Sequence, residues 1–163
     1  MSLEDLVTPT GPWVRRQSID YSTLTDTATR MRRAAIPAST FVLRGMKMRS
    51  RAALFDEWAA ALQFPYYFGG NWNAFVDCVG DLDWLRDEPV IVWIRDAIEV
   101  LADGDPDELG VFLDILHQAG DELGNANALR PARAFHVVLQ YLPEQRDALD
   151  RRLVSLARVI PEV

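Results

Sequence analysis

The sequence is short of the residues from which covalent, redox and metal sites are built. It has one cysteine, Cys78, so no disulfide can close within the chain, a usage that fits a reducing compartment. Its two histidines, His117 and His136, are far apart and lack metal-ligand spacing, so both read as structural. There is no P-loop, no G-x-G-x-x-G after a strand and no G-x-S-x-G elbow. The acid pairs Asp81-Leu82-Asp83 and Asp103-Gly104-Asp105 lack the glycine and glutamate that a calcium loop requires downstream. Catalytic residues, metal ligands and cofactor sites are therefore not assigned, and enzyme chemistry is not expected. No apolar run approaches the roughly 20 residues of a membrane span. The opening stretch carries Glu4 and Asp5 and lacks a basic region followed by an apolar one, so no secretory signal is expected. These absences predict a soluble, cytoplasmic chain that binds no membrane.

What is present is a balanced globular composition. The 163 residues are 49% hydrophobic and 25% charged, close to the usual size and mix of one domain. At that length a core needs no metal or disulfide staple. Net charge is −7, from 24 acidic and 17 basic residues. That sign repels nucleic acid and favours basic partners, although the same charge also serves solubility alone.

Three short apolar runs read as strands covered on both faces, as in a parallel sheet: Phe41 to Leu43, Val90 to Ile94 and Phe135 to Leu139. A fourth is expected around Trp13 to Ile19, before a helix from Thr23 to Ala35. Ser50 can cap a helix burying Leu54, Phe55, Trp58 and Leu62, which Phe64-Pro65 ends. Asp96 to Ala102 has room for a further short helix. Asp105-Pro106-Asp107-Glu108 reads as a capped helix start, with Asp105 as the cap and Gly124 as the stop. Pro143 to Ile160 places Leu149, Leu153, Leu156 and Ile160 on one stripe and predicts a closing amphipathic helix. The fold class is α/β in a three-layer-like arrangement. Its parallel sheet has about three strands, extended to four if the N-terminal strand joins. The domain expectation is one unit over 1–163, with a compact core at 38–141 and extensions at 1–37 and 142–163.

The unusual stretch is Phe64-Pro65-Tyr66-Tyr67-Phe68-Gly69-Gly70-Asn71, followed at once by a short helix. At about 100° per residue, Trp72, Phe75 and Val79 share its inner side. Asn73, Asp77 and Gly80 lie on the opposite arc, flanked by Val76 and Asp81. Such a helix anchors itself by one face and offers an acidic, open face to a partner. Trp58, Trp72 and Trp93 read as core. Trp84 reads either as packing or as a partner contact, since tryptophan is enriched at interface hot spots.

Here the chain resembles the barstar family of ribonuclease inhibitors, at Pro65, Tyr67, Phe68, Gly69, Asn71, Trp72, Ala74, Asp77 and Cys78, within a matching element order over about Thr40 to Leu139. The resemblance implies a partner, a small basic ribonuclease or related toxin, whose active-site cleft this turn and helix enter. It implies that Asp77 stands in for the RNA phosphate and that Tyr67 stacks on a catalytic side chain. Backbone at Gly69 and Asn71 would line the contact. The chain departs from the family at Asn73, where a carboxylate is usual, at Val76, where tryptophan is common, and at Gln118, which takes the place of an acidic contact on the long helix. The candidate partner-binding set is thus Tyr67, Gly69, Asn71, Asn73, Val76, Asp77, Gly80, Asp81, Trp84 and Gln118. Asp83, Asp87 and Glu88 are candidates for compensating rim charge. The alternative is an interaction module or immunity protein of the same fold for a partner that is not a ribonuclease. A monomer is favoured, without the sequence fixing the oligomeric state.

Overall fold

The computed structural model describes residues 3–33, 38–128 and 130–162. Within these residues, four strands form one all-parallel sheet in the order β1-β4-β3-β2: β1 (Val14–Ser18), β2 (Ser39–Arg44), β3 (Val90–Arg95) and β4 (Phe135–Tyr141). Among the described residues, five α-helices connect and close it: α1 (Tyr21–Arg32), α2 (Arg51–Leu62), α3 (Trp72–Asp81), α4 (Glu108–Gly124) and α5 (Arg146–Ser155). Because every crossover is parallel, helices cover both faces, which gives the expected three layers.

The continuous apolar runs resolve into two faces by strand alternation. Val90, Val92 and Ile94 of β3, with Phe135, Val137, Leu139 and Tyr141 of β4, join the main core beneath α2, α3, α4 and α5. Ile91, Trp93 and Val138 point the other way, into a smaller core with Leu6 and with Leu24, Ala28 and Met31 of α1. The polar members of β4 lie on this second face and are fully buried, so each needs a partner. His136 Nε2 bonds the Thr8 carbonyl oxygen at 3.0 Å. Gln140 donates to the Ile19 carbonyl at 2.6 Å and accepts from the Asp96 amide at 3.0 Å. Residues upstream of β2 therefore supply an edge strand, a covering helix and the acceptors for β4. That is why two polar residues interrupt an otherwise apolar strand.

Several boundaries differ from the sequence reading. Helix α1 starts at Tyr21, because the Asp20 side chain accepts from the Thr23 amide, and ends at Arg32. Its expected end at Ala35 lies outside the described residues. Helix α4 starts at Glu108: Asp105 accepts from the Asp107 amide at 3.0 Å and closes a turn before the helix, so it caps the turn and not the helix. Helix α5 stops at Ser155, short of Ile160, and Ala157 takes a left-handed φ of 51°. Leu149, Leu153 and Ile160 are buried all the same. Gly124 ends α4 as expected, but its lack of a side chain also serves packing. A Cβ there would collide with the Trp13 side chain, as would one at Gly120, so the two glycines form a slot for the indole.

The chain's end folds back over β1. The Arg16 amide donates to the Pro161 carbonyl, and the Glu162 carboxylate accepts from Arg146 and from the Tyr141 hydroxyl at 2.6 Å. The bonds from Arg146 and then Tyr141 hold Glu162 down to about 2. A carboxylate depressed in the folded state stabilises fully above its unfolded value and loses that contribution as pH falls through its folded value. His136 acts in the same direction: burial lowers its value below 6.5, so the folded state resists taking its proton. Thermal stability is accordingly expected to fall as pH drops below about 6.5 and again between about 4.5 and 2. Melting curves of the wild type and Glu162→Gln check this. The variant should melt lower at neutral pH and lose less in the acid window.

Candidate functional site

Local sequence builds a projecting turn on a rigid base. Helix α2 ends at Leu62 with Gln63 in the left-handed region, φ 54°, and the Phe64 amide returns to the Ala59 carbonyl at 2.9 Å. The Phe68 amide closes onto the Pro65 carbonyl, a tight turn with Tyr66 and Tyr67 at its tip. Gly70 has φ +62°, a value that glycine adopts without strain. Asn71 then caps α3 by accepting from the Ala74 amide at 3.0 Å.

The inner side of this unit is an aromatic cluster. Phe55 meets Phe68, Trp72 and Phe75 at centroid distances of 5.0–5.8 Å, and Phe75 meets Trp58 and Phe112 at 5.4 and 6.0 Å. Several of these pairs are edge-on, the geometry favoured by the ring quadrupole. Cys78 joins this side; burial first, then Asp77 and Asp81, raise its thiol, so it stays protonated.

The outer side divides the sequence candidates into two groups. Asn73, Asp77 and Asp81, one helical turn apart, are exposed in a row. Among the described residues, Asp77 has neither a hydrogen-bond nor an ion-pair partner. Tyr67 is 70% exposed, and Gly69 and Asn71 are exposed beside it. These residues form one continuous surface of turn and helix. Gly80 leaves the expected open arc, because its backbone faces α4: a Cβ would fall 2.8 Å from Glu122, and its carbonyl accepts from Arg130 at 3.4 Å. Val76 is half-buried against the main core. Trp84 is half-buried too; its indole donates to the Leu62 carbonyl at 2.8 Å and its ring packs edge-on against Phe64, so packing is the role its geometry supplies. Gln118 is exposed on α4 and donates to Glu122 at 2.8 Å. Glu88 accepts from the Ser39 hydroxyl at 2.7 Å and is half-buried, whereas Asp83 and Asp87 are exposed.

Four residues of this region escape sequence reasoning. Glu122 stands one turn beyond Gln118 on the same exposed flank of α4 and returns a carboxylate to the border of α3. Helical spacing signals it, once α3 and α4 are known to touch. Tyr66 is fully exposed at the turn tip. Arg130 ties the two helices together, donating to the Gly80 and Glu122 carbonyls. Arg133, 8% exposed, donates to the carbonyls of Leu82, Arg86 and Glu88 and so fixes the whole loop after α3. No local pattern marks either arginine, since their acceptors are backbone. Asp81 and Asp83 share the rim of a shallow pocket with both arginines. Burial first, and then Asp83, push the Asp81 carboxyl upward. Arg133→Ala is expected to lower stability by about 2 kcal/mol, because three carbonyls lose a charged donor. Urea denaturation would measure this, and amide exchange should rise first in 82–88.

Among the described residues, no helix is long and apolar enough to cross a membrane, and no cluster of acidic, histidine and cysteine side chains could hold a metal.

Comparison with known proteins adds the family. No curated protein matches the chain. Among solved structures, a chain in the structure of Drosophila ORC bound to AT-rich DNA and Cdc6 is similar over 91% of this chain, with 9% identity and a TM-score of 0.51. The match spans 47% of that chain, about half its length, and at such identity the likeness is one of fold alone. The family model described as Barstar (barnase inhibitor) matches residues 38–140, well over half of the sequence, including the turn, α3 and α4. The chain therefore belongs to the barstar (barnase inhibitor) family.

Proposed function

We propose that this protein is an inhibitor that occupies the active-site cleft of a small basic ribonuclease or a related toxin, and that it carries out no catalysis itself. The observation that carries this reading is the exposed row Asn73, Asp77 and Asp81 behind the tyrosine turn, with Asp77 engaged by none of the described residues. A carboxylate held on a helix whose other face is locked in an aromatic core loses little freedom on binding. It is therefore prepared to accept paired, charge-assisted bonds from a guanidinium in place of a substrate phosphate. Tyr67 stacks beside it on the enzyme's catalytic side chain. The net charge of −7 steers a basic partner toward the complex.

The acidic surface sits differently from the family pattern. Asn73 brings no charge to the start of the row, while Asp81, Asp83, Asp87 and Glu122 bring charge to its far end and flank. This displacement supports a partner whose cationic groups extend toward the end of α3. The same displacement favours, as a second reading, an immunity protein against a cationic toxin that is not a ribonuclease.

The test is titration of a barnase-type ribonuclease with this protein while RNA cleavage is followed. Activity should fall linearly to zero at one equivalent. Undiminished cleavage at excess protein, with tight capture of a basic protein that is not a ribonuclease, would move the assignment to the second reading.

A further inference from the structure

The Tyr66 ring is fully solvent-exposed, at 101% of its reference area, although an aromatic side chain gains most by burial. It is nonetheless not isolated. Its ring stands edge-on to Tyr67, with centroids 5.6 Å apart and planes 78° apart, and Tyr67 is itself 70% exposed. The turn beneath them is fixed by the Phe68 to Pro65 backbone bond and by the half-buried Phe64 and Phe68 rings, 5.0 Å apart and packed against the main core. Two aromatic faces are thus presented at right angles on a rigid support, beside an acidic helix row and with open space over Gly70.

We propose that Tyr66 and Tyr67 form a two-ring seat for an arginine side chain on the rim of the cationic partner, with Tyr66 supplying the face. This rests on the inhibitor reading above and names the chemistry that the turn selects. A guanidinium is planar, permanently charged and weakly hydrated, so it can lie flat on one ring while the second ring closes the side. The chain already sets a guanidinium over a single tyrosine ring internally: Arg95 lies 5.0 Å from the Tyr21 ring centre, and Arg146 lies 5.6 Å from that of Tyr141. The acidic row adjacent to the turn sets the sign of the partner, and the ring faces favour arginine over lysine. Tyr66 acts here as a specificity residue alongside Asp77, which holds the phosphate position.

The test compares wild type, Tyr66→Ala, Tyr66→Phe, Tyr66→Leu and Asp77→Ala by calorimetry against a barnase-type ribonuclease, at low salt and at 0.5 M salt. Tyr66→Ala is expected to weaken binding about tenfold, to leave the melting temperature unchanged, and to keep its effect at high salt. Tyr66→Phe should bind like the wild type, and Tyr66→Leu like the alanine variant. Full binding by Tyr66→Ala, with Asp77→Ala impaired, overturns the arginine seat and leaves the inhibitor reading standing. Recovery by Tyr66→Leu also overturns it, in favour of a plain apolar contact. Equal binding by wild type and Asp77→Ala, or none by either, sinks the underlying reading and the seat with it.

Discussion

Replacing Asp77 by alanine is expected to weaken the complex with a barnase-type ribonuclease by a factor on the order of 10² or more, that is ~3 kcal/mol. The loss has two parts. One is the missing carboxylate, and the other is the partner's guanidinium, left desolvated without a counter-charge. Asp77→Asn should fall between the two, since it keeps the shape and an acceptor but no charge. Both variants should dissociate faster and depend less on salt than the wild type. Their folded stability should match the wild type within about 0.5 kcal/mol, because Asp77 is exposed and unpartnered among the described residues. Magnitudes of this order are those measured for close charge pairs between barnase and barstar, and the proposed function predicts the same order here. Calorimetry at two salt concentrations, with melting curves of the free variants, makes the comparison.

The second large effect concerns folding. Trp13→Ala is expected to lower stability by ~3–5 kcal/mol, the range for truncating a well-buried aromatic side chain. The indole is 7% exposed, lies in the slot formed by Gly120 and Gly124, packs 5.3 Å from His136 and donates to Asp121 at 2.6 Å. Its own carbonyl accepts from the Val137 amide, where β1 joins β4. One residue thus fastens the N-terminal strand, the central sheet and α4 together. A chain of this size should lose roughly 10 °C of melting temperature. Gly120→Ala should destabilise by about 1–3 kcal/mol from the other side of the contact, since the added carbon meets the ring and not open space. A change below 1 kcal/mol in Trp13→Ala, measured by urea denaturation, would mean that the slot is not filled as described.

The contrast between these two residues marks what the sequence discloses. Asp77 is legible because helical periodicity sets it opposite Phe75 and Val79, a relation between neighbours along the chain. The strands at 41–43, 90–94 and 135–139 are legible for a similar reason, as local apolar runs between turn signals. Trp13 is not legible as a fastener, because its slot is made of two glycines more than a hundred residues away. Gly124 reads locally as a helix stop, and only the fold brings the indole against it. Arg133 is hidden for a related reason: its acceptors are backbone carbonyls, which every residue has. Gly80 illustrates the opposite error. Angular position on an isolated helix assigns it to the open arc, but the neighbouring α4 closes that side with Glu122. The expected helix start at Pro106 lies two residues before the observed one at Glu108, because an aspartate that can cap a helix can equally well close a turn.

An acidic row that replaces substrate at the enzyme's phosphate site must compete with nucleotide for that site. A barnase-type ribonuclease is saturated with a nucleoside monophosphate, and its affinity for this protein is compared with that of the free enzyme. Mutually exclusive binding, with apparent affinity falling in proportion to nucleotide occupancy and the nucleotide released on complex formation, is the expected result. Unchanged affinity, with nucleotide and protein held together on the same enzyme, would contradict the account.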